Sequence, residues 1–376
     1  MEDMAVANLD TIVASNSSSN VGGSLCMYGT SKVSVTNSMF TDARALVGGG
    51  GCMSVEEDSV LRLVGSTLSG CSTAKWGGGI NTLDQAEVEV VNSTIAKTTA
   101  VRGGALAAQG NATLRVVDSR VSGGRATKEA GGCMHVNGNC EVNLLRTVVA
   151  GCSTPAAGGG VAVEQKAALK LVNCTIRNNT AGKVEGGTIA TNLYVHGGGV
   201  AVFDEASLTV EGSEIMGNYA QFAGGGLYLE DDTKTSFQGT TPTRIYNNEA
   251  KTVAGGIRLA TTLSEQDLSR FVVENNTAPN SPDVGIVAAS IEVLSSNGDE
   301  LLASDNRDGF LQVTINVSGA NEMPSSDDLT YTVYNTSTAA LFTQTVSTGN
   351  GHLKELAISL KLPPGVMHVY AIYELR

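Results

Sequence analysis

Glycines return along this chain in pairs and runs at a nearly fixed interval. The last Gly of each run falls at Gly23, Gly51, Gly79, Gly104, Gly132, Gly160, Gly187, Gly226 and Gly256, in steps of 25 to 30 residues with one of 39. The long step holds a second run, Gly197 to Gly199. It reads as one period plus an insert of about a dozen residues, placed at 188–198. A unit this short cannot bury an apolar face alone and must stack on copies of itself, so the chain is constrained to a solenoid.

Each period has the same grammar. Two apolar positions flank a polar one at Val33/Val35, Leu61/Leu63, Val88/Val90, Leu114/Val116, Val142/Leu144, Leu169/Leu171 and Leu208/Val210. Then come a small residue (Ser38, Ser66, Ser93, Ser119, Thr147, Cys174, Ser213) and an apolar one (Phe40, Leu68, Ile95, Val121, Val149, Ile176, Ile215). A last recurring position holds Cys71, Thr98, Gly124, Cys152, Asn179, Asn218, Asn248 and Asn276. Strict alternation is the strand period, and no window keeps the helical one. Short identical strands without hairpin signals stack as a right-handed parallel β-helix, in which Asn179, Asn218, Asn248 and Asn276 should form an amide ladder. The alternating pair decays to Gln238/Thr240 and Gln266/Leu268 in the last two repeats.

Gly103-Gly104-Ala105-Leu106 matches the GGA[ILV] element of polymorphic outer-membrane protein repeats, and Ile176–Asn179, Ile215–Asn218, Ile245–Asn248 and Val273–Asn276 resemble their Phe-x-x-Asn partner with an aliphatic first residue. The resemblance covers roughly residues 10–290. It implies the pectin-lyase-like β-helix fold and a secreted or surface-displayed, adhesive repeat protein. The C-terminal membrane barrel of that family has no counterpart here.

The division expected is a β-helix over 1–289 and a small antiparallel, Ig-like β-sandwich or cap over 290–376, where strands alternate with turns such as Asn297-Gly298 and Asn350-Gly351. Residues 1–23 fit the later part of a coil, so the chain reads as starting mid-coil; nothing in Met1 to Asp10 resembles a signal peptide. No window has the length of apolar residues that a membrane span needs. The net charge of −13 argues against nucleic acid and anionic membranes as partners. Of seven cysteines, Cys174 reads as a buried free thiol. Cys71 and Cys152 are too many coils apart to pair with each other. Cys26 and Cys52 fall in adjacent coils, and Cys133 and Cys140 flank a turn and could pair. No spacing suggests a metal site.

Function is less constrained. Acidic residues recur after the glycines, among them Glu56, Glu57, Asp84, Glu164, Asp204, Glu205, Glu230, Asp231 and Asp232. They read as a solvated turn or as a weak Ca²⁺ stripe, with no other cofactor implied. The insert brings Tyr194 and His196 near Tyr219, Phe222 and Tyr228, as core or as an aromatic lip for a sugar. Binding is therefore expected at Tyr194, His196, Asp204, Glu205, Tyr228, Glu230, Asp231 and Asp232. The partners would be cell-wall or surface glycans, or other surface proteins. Catalytic groups of differing character do not converge in the repeat, and His135 reads as a strand-face residue. The expectation is a non-enzymatic extracellular protein. The alternative is a polysaccharide lyase or glycoside hydrolase, with Asp231 and Asp232 as its paired carboxylates.

Overall fold

The structure is a computed structural model. It describes residues 5–182, 195–230, 232–259, 270–279 and 282–287, and beyond them the backbone of Glu292–Leu294, Leu311–Asn316, Asp328–Thr336, Ala339–Ser347, Glu355–Leu360 and Tyr370–Leu375. One coil illustrates the rest. Strands Val60–Val64, Thr67–Ser69, Ser72–Thr73 and Ile80–Thr82 follow one another around it. Each pairs in parallel with its equivalents in the neighbouring coils. Leu61 lies between Val33 and Val88, Leu68 between Phe40 and Ile95, and Ile80 between Met53 and Leu106. Among the described residues, repetition builds a right-handed parallel β-helix whose four sheets hold 9, 10, 9 and 10 coil strands, counted in the order the chain visits them, with three further strands joined antiparallel to the fourth.

The corners explain the fixed period. Both bends flanking the second sheet need left-handed backbone, and the sequence supplies mainly Asn, Asp or Gly there. Asn37, Gly65, Asn92, Asp118 and Asn173 serve one bend and Asn16, Asp42, Gly70, Asn178 and Asn275 the other, with φ between 46° and 69°. The glycine runs answer a different need. A Cβ at Gly51, Gly78, Gly104 or Gly132 would fall 2.1 or 2.2 Å from the carbonyl oxygen of the glycine one coil on. The column of closest approach therefore passes through the last glycine of some runs, Gly51, Gly104 and Gly132, and through the one before the last in others, Gly78, Gly159, Gly198 and Gly225. Gly187 lies outside the described residues.

Apolar side chains of all coils fill one continuous core, and polar ladders run through it. Ser66 Oγ accepts from the Ser38 N–H one coil earlier and donates to Val64 O; Ser93 and Ser119 repeat the pattern. On the second corner each Asn amide donates to the next: Asn179 to Asn218 at 3.0 Å, Asn218 to Asn248 at 2.9 Å and Asn248 to Asn276 at 2.9 Å. Asp283 accepts from the last amide, and the backbone N–H of Cys152 caps the first. No amide is left without a partner, as a buried ladder requires.

The residue opposite this ladder, across the narrow interior of the same coil, is matched to it. Gly160 faces Asn179, Gly199 faces Asn218 and Gly226 faces Asn248, with room for no Cβ. In two coils both positions are cysteine, and disulfides Cys52–Cys71 and Cys133–Cys152 join them with Cα atoms 5.4 and 5.3 Å apart. This corrects the cysteine reading. Cys26 and Cys140 are free, so neither Cys26–Cys52 nor Cys133–Cys140 forms, and Cys174 is a buried free thiol. The comparison between coils looked along the axis, whereas the bond crosses the coil.

The alternating pair of the late coil is also corrected. Thr235 and Phe237, not Gln238 and Thr240, pair with Leu208 and Val210, and Phe237 enters the core. Extra residues after Gln238 delay the corner, so counting back from Asn248 misplaces the strand. Gln266 and Leu268 lie outside the described residues. Beyond the coil strand Val284–Val287 pairing turns antiparallel, with Tyr370–Leu375 followed by Asp328–Thr336 and Ala339–Ser347, while Glu292–Leu294, Leu311–Asn316 and Glu355–Leu360 form a separate sheet. The sandwich expected over 290–376 rests largely on residues outside those described.

Candidate functional site

The fourth sheet differs from the others on its outer side. Its strands are three residues long, as in Ile80–Thr82, so the first and third side chains enter the core and the middle one faces away. The middle row reads Ser54, Asn81, Ala107, His135, Ala162, Ala201, Tyr228 and Arg258 in register. Its members from Ser54 to Ala201 are nonetheless buried, because the glycine turn beside the strand folds over them: a Cβ at Gly49 would meet Asn81, and one at Gly103 would meet His135. This is the row in which unlike side chains accumulate.

Two polar groups occupy it. In the first, Gln109 Nε2 donates to Asn81 Oδ1 at 2.8 Å, and Ser54 Oγ donates to Glu56 at 2.7 Å. In the second, His135 Nε2 lies 3.1 Å from Glu164 Oε2, and Arg102 pairs with Glu129. Burial, partly offset by Glu164 and reinforced by Arg102, pushes the His135 pKa down, so the imidazole is neutral near pH 7. Burial raises the Glu164 carboxyl, but the hydrogen bond from His135 and the nearby Arg102 charge bring it below the usual carboxylate range. Sequence reasoning missed both groups. The signal was there: Gln109 follows Asn81 by 28 residues, and Glu164 follows His135 by about one coil.

Further along, an aromatic cluster surrounds Tyr228 of the row. His196 stacks on Tyr228 with centroids 4.1 Å apart and planes at 11°. Phe222 meets the His196 ring edge-on at 5.2 Å, and Phe203 tilts against Tyr228 at 5.4 Å. Burial, aided by Arg258, lowers the His196 pKa to about 3. His196 was expected in an outward insert. It instead forms a parallel bridge with Ala223 and is buried, as an ordinary member of the coil. Tyr194 and Asp231, with residues 188–194 of the insert, lie outside the described residues.

The acidic row is not drawn together into a site. Glu57 accepts from Gly29 N–H at 2.7 Å, Asp204 from Gln165 N–H at 2.8 Å and Glu230 from Asp204 N–H at 2.9 Å. Each carboxylate thus closes a turn of the coil before it. Glu205 pairs with Lys166 at 3.6 Å on the surface, and Asp232 is exposed in its turn. Among the described residues no three His, Cys, Asp or Glu side chains converge as metal ligands, and no helix is long and apolar enough to cross a membrane.

The description "Right handed beta helix region" matches residues 127–298. No curated protein matches the chain. Among solved structures, the chain is similar to the enzymatically active domain of tailspike protein 4 of bacteriophage CBA120, at 10% identity and a TM-score of 0.29, over 92% of this chain and 61% of that one. The expectation that the chain is not an enzyme is corrected: the matched description names a fold and gives no ground for excluding activity. The outward row of the fourth sheet places unlike groups from different coils side by side, which the repeat of like positions does not reveal. The four sheets of parallel coil strands and the matched region agree on the fold, a right-handed parallel β-helix built from repeats.

Proposed function

We propose that this chain is an extracellular carbohydrate-active protein whose polysaccharide ligand lies against the outer side of the fourth sheet. The observation that carries this reading is the cluster of His196, Phe203 and Phe222 around Tyr228, the one aromatic member of a row that otherwise holds small or polar residues among the described residues. Flat rings with polar edges suit the alternating apolar faces and hydroxyls of sugars. The two disulfides support an oxidising compartment, which for a protein of this kind means secretion or surface display. The −13 charge favours neutral over acidic glycans. A polysaccharide array, read both for binding and for release of new reducing ends, tests the reading. Tyr228→Ala should abolish retention on the glycan that the unaltered protein selects. Retention that survives Tyr228→Ala together with His196→Ala would sink it.

A further inference from the structure

We propose that Arg102, Glu129, His135 and Glu164 form a second subsite on the same face, one that takes the hydroxyl groups of a neutral sugar. The inference rests on the polysaccharide reading above and extends it to a second point of contact.

The geometry singles out His135. In register it lies between Ala107 and Ala162, so the row offers it methyl groups on both sides and no polar neighbour. The residue is 1% exposed, and its Nδ1 has no hydrogen-bond partner. Its Nε2 faces the Glu164 carboxylate, so the single proton of the neutral ring belongs on that nitrogen and Nδ1 remains a bare acceptor. Arg102 adds a second unmet group: one terminal nitrogen is engaged by Glu129, while the buried Nε–H has no partner. Buried polar atoms are almost always paired, so an unmet acceptor on His135 and an unmet donor on Arg102, whose charge is felt at His135, mark a place that something else completes.

The chemistry of that something follows from the set. A bare nitrogen acceptor, a guanidinium donor and two carboxylates match groups that both give and take hydrogen bonds, as sugar hydroxyls do. Glu129 and Glu164 disfavour a uronate or a phosphate, and Arg102 disfavours a metal ion. Glu164 and Glu129, with side chains 26% and 43% exposed, present the cluster to solvent. Three coil steps separate His135 from Tyr228, through Ala162 and Ala201, or roughly 14 Å at the spacing of paired strands. An oligosaccharide along the rod reaches both places, and a monosaccharide reaches one.

Calorimetric titration of the whole chain with neutral cello-, manno- and malto-oligosaccharides, from monosaccharide to hexasaccharide, tests this. Affinity should rise with length until both places are spanned. Glu164→Gln and Glu129→Gln should each weaken hexasaccharide binding roughly tenfold, the worth of a hydrogen bond to a charged group, and leave monosaccharide binding unchanged. The imidazole ¹⁵N spectrum should show His135 Nδ1 shifting when the hexasaccharide is added, which needs no variant to fold. If the chain binds hexasaccharide through Tyr228 but neither Gln variant weakens it and the His135 spectrum stays fixed, the subsite is overturned and the broader reading stands. If no neutral oligosaccharide binds at all, both fall.

Discussion

From Cys52 to Cys152 the interior of the coil is closed by two disulfides and by small residues, whereas from Gly160 to Asn276 it is closed by a continuous chain of amides. Both halves share the glycine column and the same four sheets. The difference lies in how neighbouring coils are tied. A disulfide fixes the cross-section of one coil and leaves its neighbours to the backbone and the Ser ladder. An amide ladder ties each coil to the next and offers no covalent safeguard within any of them. The first half is therefore locked locally, the second cooperatively.

Four experiments break or sharpen this contrast. The largest effect belongs to what the halves share: Gly104→Val and Gly198→Val should both abolish folding, since each places atoms on a neighbouring backbone. A soluble Gly104→Val protein with native circular dichroism would show that the column can yield. Next is Asn218→Leu, which removes the acceptor of both the Asn179 N–H and its amide. Two buried donors left unpaired should cost about 2–5 kcal/mol, read as a lower denaturant midpoint, with hydrogen-exchange protection lost from Ile176 to Asn276 together. Replacing Cys52 and Cys71 by Ala should cost about 2–4 kcal/mol, with protection lost only around that coil; a loss that spreads along the rod would refute local locking. The smallest is Ser93→Ala, which orphans the Ser66 N–H for about 1–2 kcal/mol.

Acid should weaken both halves, since His135 in the first and His196 in the second are each buried with a lowered pKa. His196 has a folded pKa of about 3, below its ordinary 6.5. The unfolded chain therefore binds the proton first, and acidification favours unfolding. Stability should be full above pH 6.5 and fall progressively toward pH 3, measured as a shift in melting temperature, and His196→Phe should flatten that slope.

The fold was legible because its causes repeat. Val88 and Val90 announce a strand once, and six more coils say the same thing in phase. The disulfides were legible in principle, since Cys52 and Cys133 precede their partners by the same 19 residues as Gly160 precedes Asn179. Pairing across a coil was overlooked because the ladder drew attention along the axis. The candidate site was hidden for the opposite reason. His135 appears once, so that nothing marks Glu164 off from the other acids of its row, and repetition, which reveals the scaffold, hides what is singular. Asp204 and Glu230 looked functional because they recur, and they recur because every turn needs its N–H groups met.

The matching of Gly160 with Asn179, of Ala105 with Gly124 and of Cys133 with Cys152 has a further consequence. Each match is settled within one coil, so a coil can be copied or lost whole without spoiling its own fit. The amide ladder and the glycine column impose only the milder demand that neighbours be of compatible kind. A rod built this way can change in length over evolutionary time while its girth stays fixed.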